Sequence, residues 1–523
     1  EYSSGIEAIG LARLGSRRCG RTARRPADDA GGPYTHHGHQ EAGQALKGIA
    51  DMPLRPLVFA VGIFTFLAVH AAEPELPVSV QSALNVRQVP HDSLSVYIQD
   101  LDSGEIVLHW GDDVPRNPAS TIKLLTTLAA LDILGPTYRW PTNVYALGEI
   151  TDGVLHGDLL LEGRGDPFLV TERVWQLLRQ IRQAGIREIK GDLLLDDSYF
   201  DIAEHDPAAF DRQPLRAYNV APNALMMNFK VIRFWFEPER ETNRVEVWMD
   251  PALENLAIDN RLTLAPGPCR GYQRGITMLA DEATDRISLS GKFPNGCKRY
   301  RMDRTALSHN AFVFGLFNAL WAESGGTLRG GWKTAAAPAD IEPLLEFESL
   351  PLADVITRIN KHSNNVMARQ MLYTLSAEVL GEPGTEAGGR RVVSEWLGKN
   401  GLALSSLAFD NGAGLSREAR LSASDFGALL QFAWRRPNMP EFVASMSLSG
   451  LDGTLSQRFR NSPVSGNAHL KTGSLDHVTA IAGYLQSRSG RRFSVVALQN
   501  HTDIHRGPGE EVQEALLRWL YEQ

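Results

Sequence analysis

Between residues 93 and 113 apolar and polar positions alternate through SLSVYIQDLDSGEIVLHWGDD. A period of two sends successive side chains to opposite faces of a strand. The turn residues Asp102-Ser103-Gly104 divide the stretch into two predicted strands, 94–101 and 105–110. The period then changes. Past Pro118 and Ser120, residue types that open helices, Leu124, Leu125, Leu128 and Leu131 recur at helical spacing. After Leu134-Gly135-Pro136, residues 140–340 break into short alternating runs punctuated by Gly, Asp and Pro, among them NVYALGEI, GVLHGDLLLEG, REIKGDLLLDD, KVIRFWFEP, RVEVWMDP and RISLSGKF. These predict a β-rich insertion of two subdomains, with one helix at 310–326. Helices return from Ile341. PLADVITRINKHSNNVMARQMLYTLSAEVLG predicts two, broken near His362-Ser363, and SASDFGALLQFAWRR a third capped by Ser422 or Ser424. NAHLKTGSL, VTAIAGYLQS and FSVVALQNH predict three closing strands, and a last helix at 510–521 buries Val512, Leu516, Leu517 and Leu520. Strands before the Ser120 helix and at the C-terminus imply one sheet made from both chain ends, in an α/β (α+β) fold.

Composition narrows the class. A chain of 523 residues is too long for one simple core and predicts two or three domains. Its 43% apolar and 22% charged content is that of a globular protein. The net charge is −8 and Lys and Arg form no stripe, so nucleic acid is not an expected partner. No stretch has the length of a stable transmembrane anchor. Residues 1–51 lack periodicity and read as a leader or artefactual extension, which takes the HHGH tract with it. Residues 52–72 read as a signal peptide: Met52, a positive Arg55, an apolar run from Leu57 to Val69, and small residues at Ala71-Ala72. Export, to a periplasm, follows as an expectation. Cys269 and Cys297 are then the cysteines of the exported part, both in Pro/Gly-rich turns. An oxidising compartment favours a disulfide between them, the alternative being two free thiols.

The candidate chemistry starts at Ser120 and Lys123. Three residues apart on a helix, they share a face and their side chains can touch. A Ser-x-x-Lys pair alone arises by chance about once or twice in a chain this long. Two further stretches change its weight: Ser363-Asn364-Asn365 at the helix break and Lys471-Thr472-Gly473-Ser474 at a strand edge. In that order, the three elements resemble the active site of the penicillin-recognising serine enzymes. The long insertion directly after the Ser-x-x-Lys helix resembles the penicillin-binding protein 4 type, the D-alanyl-D-alanine carboxypeptidases/endopeptidases of peptidase family S13. LEGRGDPFL at 161–169, RAYNVAPNAL at 216–225 and DNGAGLSREARLSASDF at 410–426 are similar to segments of that family, with Asn411 and Ala413 as departures.

The resemblance implies a β-lactamase/transpeptidase-like domain, an antiparallel sheet flanked by helices, in two parts (73–139 and 341–523) around the insertion (140–340). It implies Ser120 as nucleophile, Lys123 as general base, and Ser363 as proton relay to the leaving amine. Asn365 would hold Lys123 and a substrate amide. Lys471 and Thr472 would take the terminal carboxylate, and Gly473 would let the substrate backbone approach the strand. The N–H groups of Ser120 and Ser474 would form the oxyanion hole. Arg417 and Tyr218 match positions that touch the substrate's side chain. Asp211, Gln213 and Asp476 compete for the place of a carboxylate facing a diaminopimelate amine. Peptidoglycan peptides are the implied substrates and β-lactams the implied inhibitors, with no cofactor. Independently of the resemblance, serine needs a base and lysine serves as one only when burial or a neighbouring cation lowers its pKa. The alternatives are a β-lactamase or esterase of the same chemistry, or an idle wall-binding module. His501 and His505 have ligand spacing but no third partner in the sequence, so no metal is expected. Asp166 reads as a turn former.

Overall fold

A computed structural model of the chain describes residues 75–270 and 275–523. The expected leader and signal peptide lie outside the described residues. In chain order, α1 (Val78–Val86), β1 (Leu94–Asp100) and β2 (Ile106–Trp110) lead to a 3-10 turn, Ala119–Ile122, that runs straight into α2 (Lys123–Leu134). The next stretch holds β3 (Pro141–Thr151), β4 (Val154–Gly163), α3 (Thr171–Gln183), β5 (Glu188–Ile189) and β6 (Leu193–Asp196). Then come β7 (Ile232–Glu239), β8 (Arg244–Asp250), β9 (Ala257–Ala265), β10 (Ile276–Asp281), β11 (Arg286–Pro294), β12 (Tyr300–Arg304) and α4 (His309–Glu323). β13 (Thr327–Leu328), β14 (Trp332–Thr334) and β15 (Leu345–Glu348) precede a helical run of α5 (Leu352–His362), α6 (Asn365–Leu380), α7 (Glu386–Lys399), α8 (Ala423–Trp434) and α9 (Met439–Ala444). The chain closes with β16 (Ser447–Leu448), β17 (Ala468–Leu475), β18 (Val478–Gln486), β19 (Arg492–Asn500) and α10 (Pro508–Tyr521).

The two chain ends do share one six-stranded sheet, in the order β16-β17-β18-β19-β1-β2. β1 lies antiparallel to β19, with Leu94 opposite Gln499 and Asp100 opposite Phe493. β18 and β19 are buried on both faces, which is why VTAIAGYL and FSVVALQ read as apolar runs and not as alternation. One face packs on α2, α5, α6 and α8 through Leu125, Leu128, Ile356, Leu372, Phe426 and Val496. The other packs on α1 and α10 through Val80, Leu84, Ile481, Val495, Leu516 and Leu517. This double cover makes the sheet a rigid plate, and β17 is the strand that carries Lys471.

Residues 141–348 build two more sheets, one in the order β10-β11-β9-β8-β7-β12 and one of seven strands around β3 and β4. Leu159, Leu161, Phe234, Phe236, Phe312 and Phe317 belong to one continuous core beneath them. Two details differ from the sequence reading. β15 lies beyond residue 340 yet pairs with β3, Leu345 opposite Val144 and Glu348 opposite Pro141, because the edge of β3 takes the returning chain as its partner. The short-strand reading also leaves out α3, whose Val174, Leu177, Leu178 and Ile181 recur at helical spacing and are buried. Cys269 and Cys297 are joined as a disulfide between the turns that follow β9 and β11. Among the described residues no helix is long and apolar enough to cross a membrane.

Candidate active site

Ser120 is not the cap of α2 but part of the 3-10 turn before it, and Lys123 is the first helical residue. In a 3-10 turn residues i and i+3 eclipse, which stacks Lys123 over Ser120 and sets Nζ 2.9 Å from Oγ. Ala119, just before the serine, sits at φ +44°. A non-glycine residue holds such a conformation only when its surroundings over-determine it. Asn117 supplies that restraint. Its Oδ1 accepts the Ala119 N–H at 2.8 Å, its own N–H donates to Asn500 Oδ1 at 2.8 Å, and its Nδ2 donates to the Ser416 carbonyl at 2.8 Å. One asparagine thus ties the Ser120 turn to the end of β19 and to the loop before α8.

The break between α5 and α6 delivers the second element. Ser363 ends α5 in the left-handed region at φ +56°, and Asn364 caps α6 by accepting the Met367 N–H at 3.0 Å. The reversal turns both flanking side chains toward the lysines. Asn365 Oδ1 accepts from Lys123 Nζ at 2.6 Å, and Ser363 Oγ accepts from Lys471 Nζ at 2.9 Å. Lys123 also donates to the Ala413 carbonyl. Lys471 donates to the Thr472 carbonyl at 2.6 Å, and Thr472 Oγ1 donates to Thr454 Oγ1 at 2.8 Å. Ser120, Lys123, Ser363, Asn365, Lys471 and Thr472 are therefore brought together by three distant segments.

Both lysines are fully buried, and among the described residues neither forms an ion pair with a carboxylate. An ammonium group removed from water without a counter-ion loses its proton easily. Burial, reinforced by the Lys471 charge, lowers Lys123 well below the usual lysine range. Burial alone pushes Lys471 down to about 7. Both effects favour the uncharged amine, the form of lysine that could take a proton from the serine it touches.

Gly473 has a role the sequence reading did not give it. A Cβ there would lie 2.7 Å from the Pro118 carbonyl oxygen and 3.1 Å from the Ser120 nitrogen. The glycine lets β17 close on the serine's own turn, so the tight approach is between two parts of the protein. Gly473→Ala is expected to push these apart and to slow the acylation by penicillin that the resemblance implies about 10²-fold, the usual penalty for an ångström-scale misplacement. Stopped-flow acylation rates measure it, with circular dichroism to confirm the fold; a rate within twofold of the parent refutes the tight-contact argument.

The outer residues divide. Tyr218 does not stand free: its hydroxyl donates to Asp211 Oδ2 at 2.6 Å, which together with burial raises its pKa to about 12. Asn219 Nδ2 donates to the other Asp211 oxygen at 2.9 Å. Gln213 is exposed, and its Oε1 accepts from Arg216 Nε at 2.8 Å. Arg417 lies over the Phe210 ring, 4.7 Å from its centroid, and 3.7 Å from Asp476 Oδ2. Ser474 is exposed on the edge of β17. Asp166 does form a turn, its Oδ1 accepting the Phe168 N–H at 2.8 Å, but it is also buried, which raises its pKa to about 6.

His501 and His505 do not form a pair. The structure instead groups His505 with His477 and Asp503, and His477 is the partner that linear spacing could not reveal. The His477 N–H donates to His505 Nδ1 at 2.9 Å, and the Asp503 N–H donates to His477 Nδ1 at 3.0 Å. With Nδ1 occupied as an acceptor, each neutral ring carries its proton on Nε2 and has no second lone pair for a metal. The cluster fits a tie between the β17–β18 turn and the chain before α10.

Sequence reasoning missed Asn117, Thr454 and the Ala413 carbonyl. Ala413 is a departure from the family pattern, but its contact is made by backbone, so the bond to Lys123 does not depend on the side chain there. Only Asn411, which accepts the Ala413 N–H at 3.0 Å, leaves a turn signature in the sequence.

Known proteins resemble this chain over most of its length. The model of the D-Ala-D-Ala carboxypeptidase 3 (S13) family matches residues 76–523. A D-alanyl-D-alanine carboxypeptidase of Actinomadura sp. (strain R39) is 29% identical over 455 residues, 80% of each chain. The D-alanyl-D-alanine carboxypeptidase DacB of Haemophilus influenzae is 22% identical over 404 residues, covering 77% of this chain and 84% of its own. Among solved structures, penicillin binding protein 4 from Haemophilus influenzae superposes with a TM-score of 0.73 at 21% identity, over 86% of this chain and all of that one. Its complex with a β-lactam gives a TM-score of 0.70 at 20% identity, again over 86% of this chain and all of that one.

Proposed function

Because the chain belongs to the D-Ala-D-Ala carboxypeptidase 3 (S13) family and is a serine-type peptidase, we propose that Ser120 is its nucleophile and peptidoglycan stem peptides its substrates. The observation that carries this reading is the placement of Lys123: buried, without a carboxylate partner among the described residues, and hydrogen-bonded at once to Ser120 Oγ and Asn365 Oδ1.

Lys123 Nζ takes the hydroxyl proton as Ser120 Oγ attacks the carbonyl of the penultimate D-alanine. The N–H groups of Ser120 and Ser474 stabilise the oxyanion. Ser363, bonded to Lys471, relays to the departing amine the proton that Lys123 took, and the C–N bond breaks to leave an ester on Ser120 and an uncharged Lys123. Asn365 holds the substrate amide. Water, deprotonated by Lys123, then cleaves the ester and restores both groups. Lys471 and Thr472 receive the substrate's terminal carboxylate. The same chemistry on a cross-link amide is an endopeptidase reaction, which belongs to this proposal. β-Lactams would acylate Ser120, a reading supported by the β-lactam complex of the Haemophilus protein. Arg417 is the exposed contact for the substrate's side chain, and Tyr218 acts there through Asp211. The domain boundaries and export to the periplasm by the 52–72 segment complete the proposal. Mass spectrometry after exposure to benzylpenicillin tests the core of it: the expected adduct maps to Ser120, and an unmodified protein or an adduct elsewhere refutes it. Rapid nitrocefin turnover would favour the β-lactamase alternative.

The pH dependence follows from Lys471. Depressed to about 7, it carries its charge only below that value. For a substrate with a free carboxylate, kcat/KM is expected to fall as pH rises above about 7, since kcat/KM reports the free enzyme. A substrate with the terminal carboxyl amidated should lack that falling limb. Identical profiles for the two substrates would exclude Lys471 as the carboxylate anchor.

A further inference from the structure

A groove of about 860 Å³ opens between α3, β15 and the start of α5. The inward face of α3 is apolar, so its period places Trp175, Gln176, Arg179 and Gln180 outside. Trp175 is 48% exposed, a large apolar ring left in water. Arg179 lies alongside, its guanidinium carbon 5.9 Å from the ring centroid. The opposite wall is β15, where the buried Phe347 alternates with the exposed Glu346 and Glu348.

The groove is built before any ligand arrives. Arg173 bridges its two walls: it donates to Gln176 Oε1 at 3.0 Å and to the Glu348 carbonyl, and lies 4.5 Å over the Phe347 ring. Arg139 donates to the Ser349 carbonyl at 2.5 Å. The lining is balanced in charge, with Arg139, Arg173 and Arg179 against Glu346, Glu348 and Asp354. A polyanion or polycation meets no net field there. An exposed indole flanked by amide, guanidinium and carboxylate groups instead suits an uncharged ligand with one apolar face and a rim of hydroxyl and amide groups. A pyranose ring has that form.

We propose that this groove binds a chain of β-1,4-linked N-acetylated hexosamines, the uncharged sugar backbone to which peptide stems are attached. Trp175 stacks on the C–H face of one ring while Gln176, Gln180 and Glu346 bond its acetamido and hydroxyl groups. The assignment rests on the proposed function for its choice of polymer, and the site would hold the enzyme on that polymer while Ser120 works on the peptide.

The β-1,4-linked N-acetylglucosamine hexamer is the probe, added to the full chain and followed by calorimetry. The parent protein is expected to bind it saturably, and Trp175→Ala to bind at least tenfold more weakly. Gln180→Ala, an exposed change that spares the core, is expected to weaken binding about fivefold. Trp235→Ala, on another sheet, should bind like the parent. Adduct formation with benzylpenicillin at the parent rate shows that each variant is folded. Equal binding by Trp175→Ala and the parent, or no saturable binding by the parent, overturns the proposal. So does binding of inorganic polyphosphate in place of the hexamer, lost in Arg179→Ala. Hexamer binding without any penicillin adduct would sink the Ser120 reading and leave the sugar site standing.

Discussion

Ser120→Ala is expected to abolish the covalent penicillin adduct and lower D-alanine release at least about 10⁴-fold, the scale on which loss of a catalytic nucleophile is felt. Ser120 Oγ is the hydroxyl within 2.9 Å of the Lys123 amine, and its turn is pinned by Asn117 independently of the side chain. Removing one partly exposed hydroxyl therefore leaves the backbone, the lysines and the carboxylate anchor in place. Substrate binding should survive with an altered rate and little change in affinity. Two measurements decide it: intact-protein mass after benzylpenicillin, and D-alanine release from a soluble pentapeptide. An adduct that still forms in the variant would move the nucleophile elsewhere.

Lys123→Met has the second-largest expected effect, a fall in acylation of about 10² to 10⁴-fold, the range of a general base. Methionine fills the volume but has no lone pair able to take the serine's proton at neutral pH. This variant also reports on the charge state of the parent. A lysine with a depressed folded pKa holds fewer protons than in the unfolded chain, so stability is lost as pH falls from about 10.5 towards the folded value and regained as pH rises. Each of the two buried lysines contributes a slope on the order of 1 kcal/mol per pH unit across its window. Between pH 7 and 9 the parent should therefore gain stability with pH, and Lys123→Met should gain less. Denaturant midpoints at the two pH values measure the difference. Parallel curves, together with an unchanged acylation rate, would show that Lys123 is neither depressed nor the base.

The elements that build the central sheet are written locally. Alternation marks β1 and β2, apolar runs mark β18 and β19, and the caps Ser422 and Asn364 mark where α8 and α6 begin. The inserted region was less legible. The apolar positions of α3 lie among Arg and Gln in a strand-rich neighbourhood, and the pairing of β15 with β3 joins residues about two hundred positions apart. No local period encodes a partner at that distance. At the site, the motif residues were legible because their chemistry is in the side chains. Thr454 and the Ala413 carbonyl were not, since a backbone oxygen carries no residue identity and a lone threonine no pattern.

By itself the sequence determined which groups were available: a serine and a lysine three residues apart, a Ser-Asn-Asn break between helices, and a Lys-Thr-Gly strand. Only the tertiary structure decided that Asn365 meets Lys123 across 242 residues and that Lys471 meets Ser363 across 108. It also decided that Gly473 closes on the serine's own turn. The charge state of the two lysines is likewise a property of the fold. An amine loses its proton readily when water is removed around it and no carboxylate replaces the water, and that environment is assembled from segments that meet only in the folded chain.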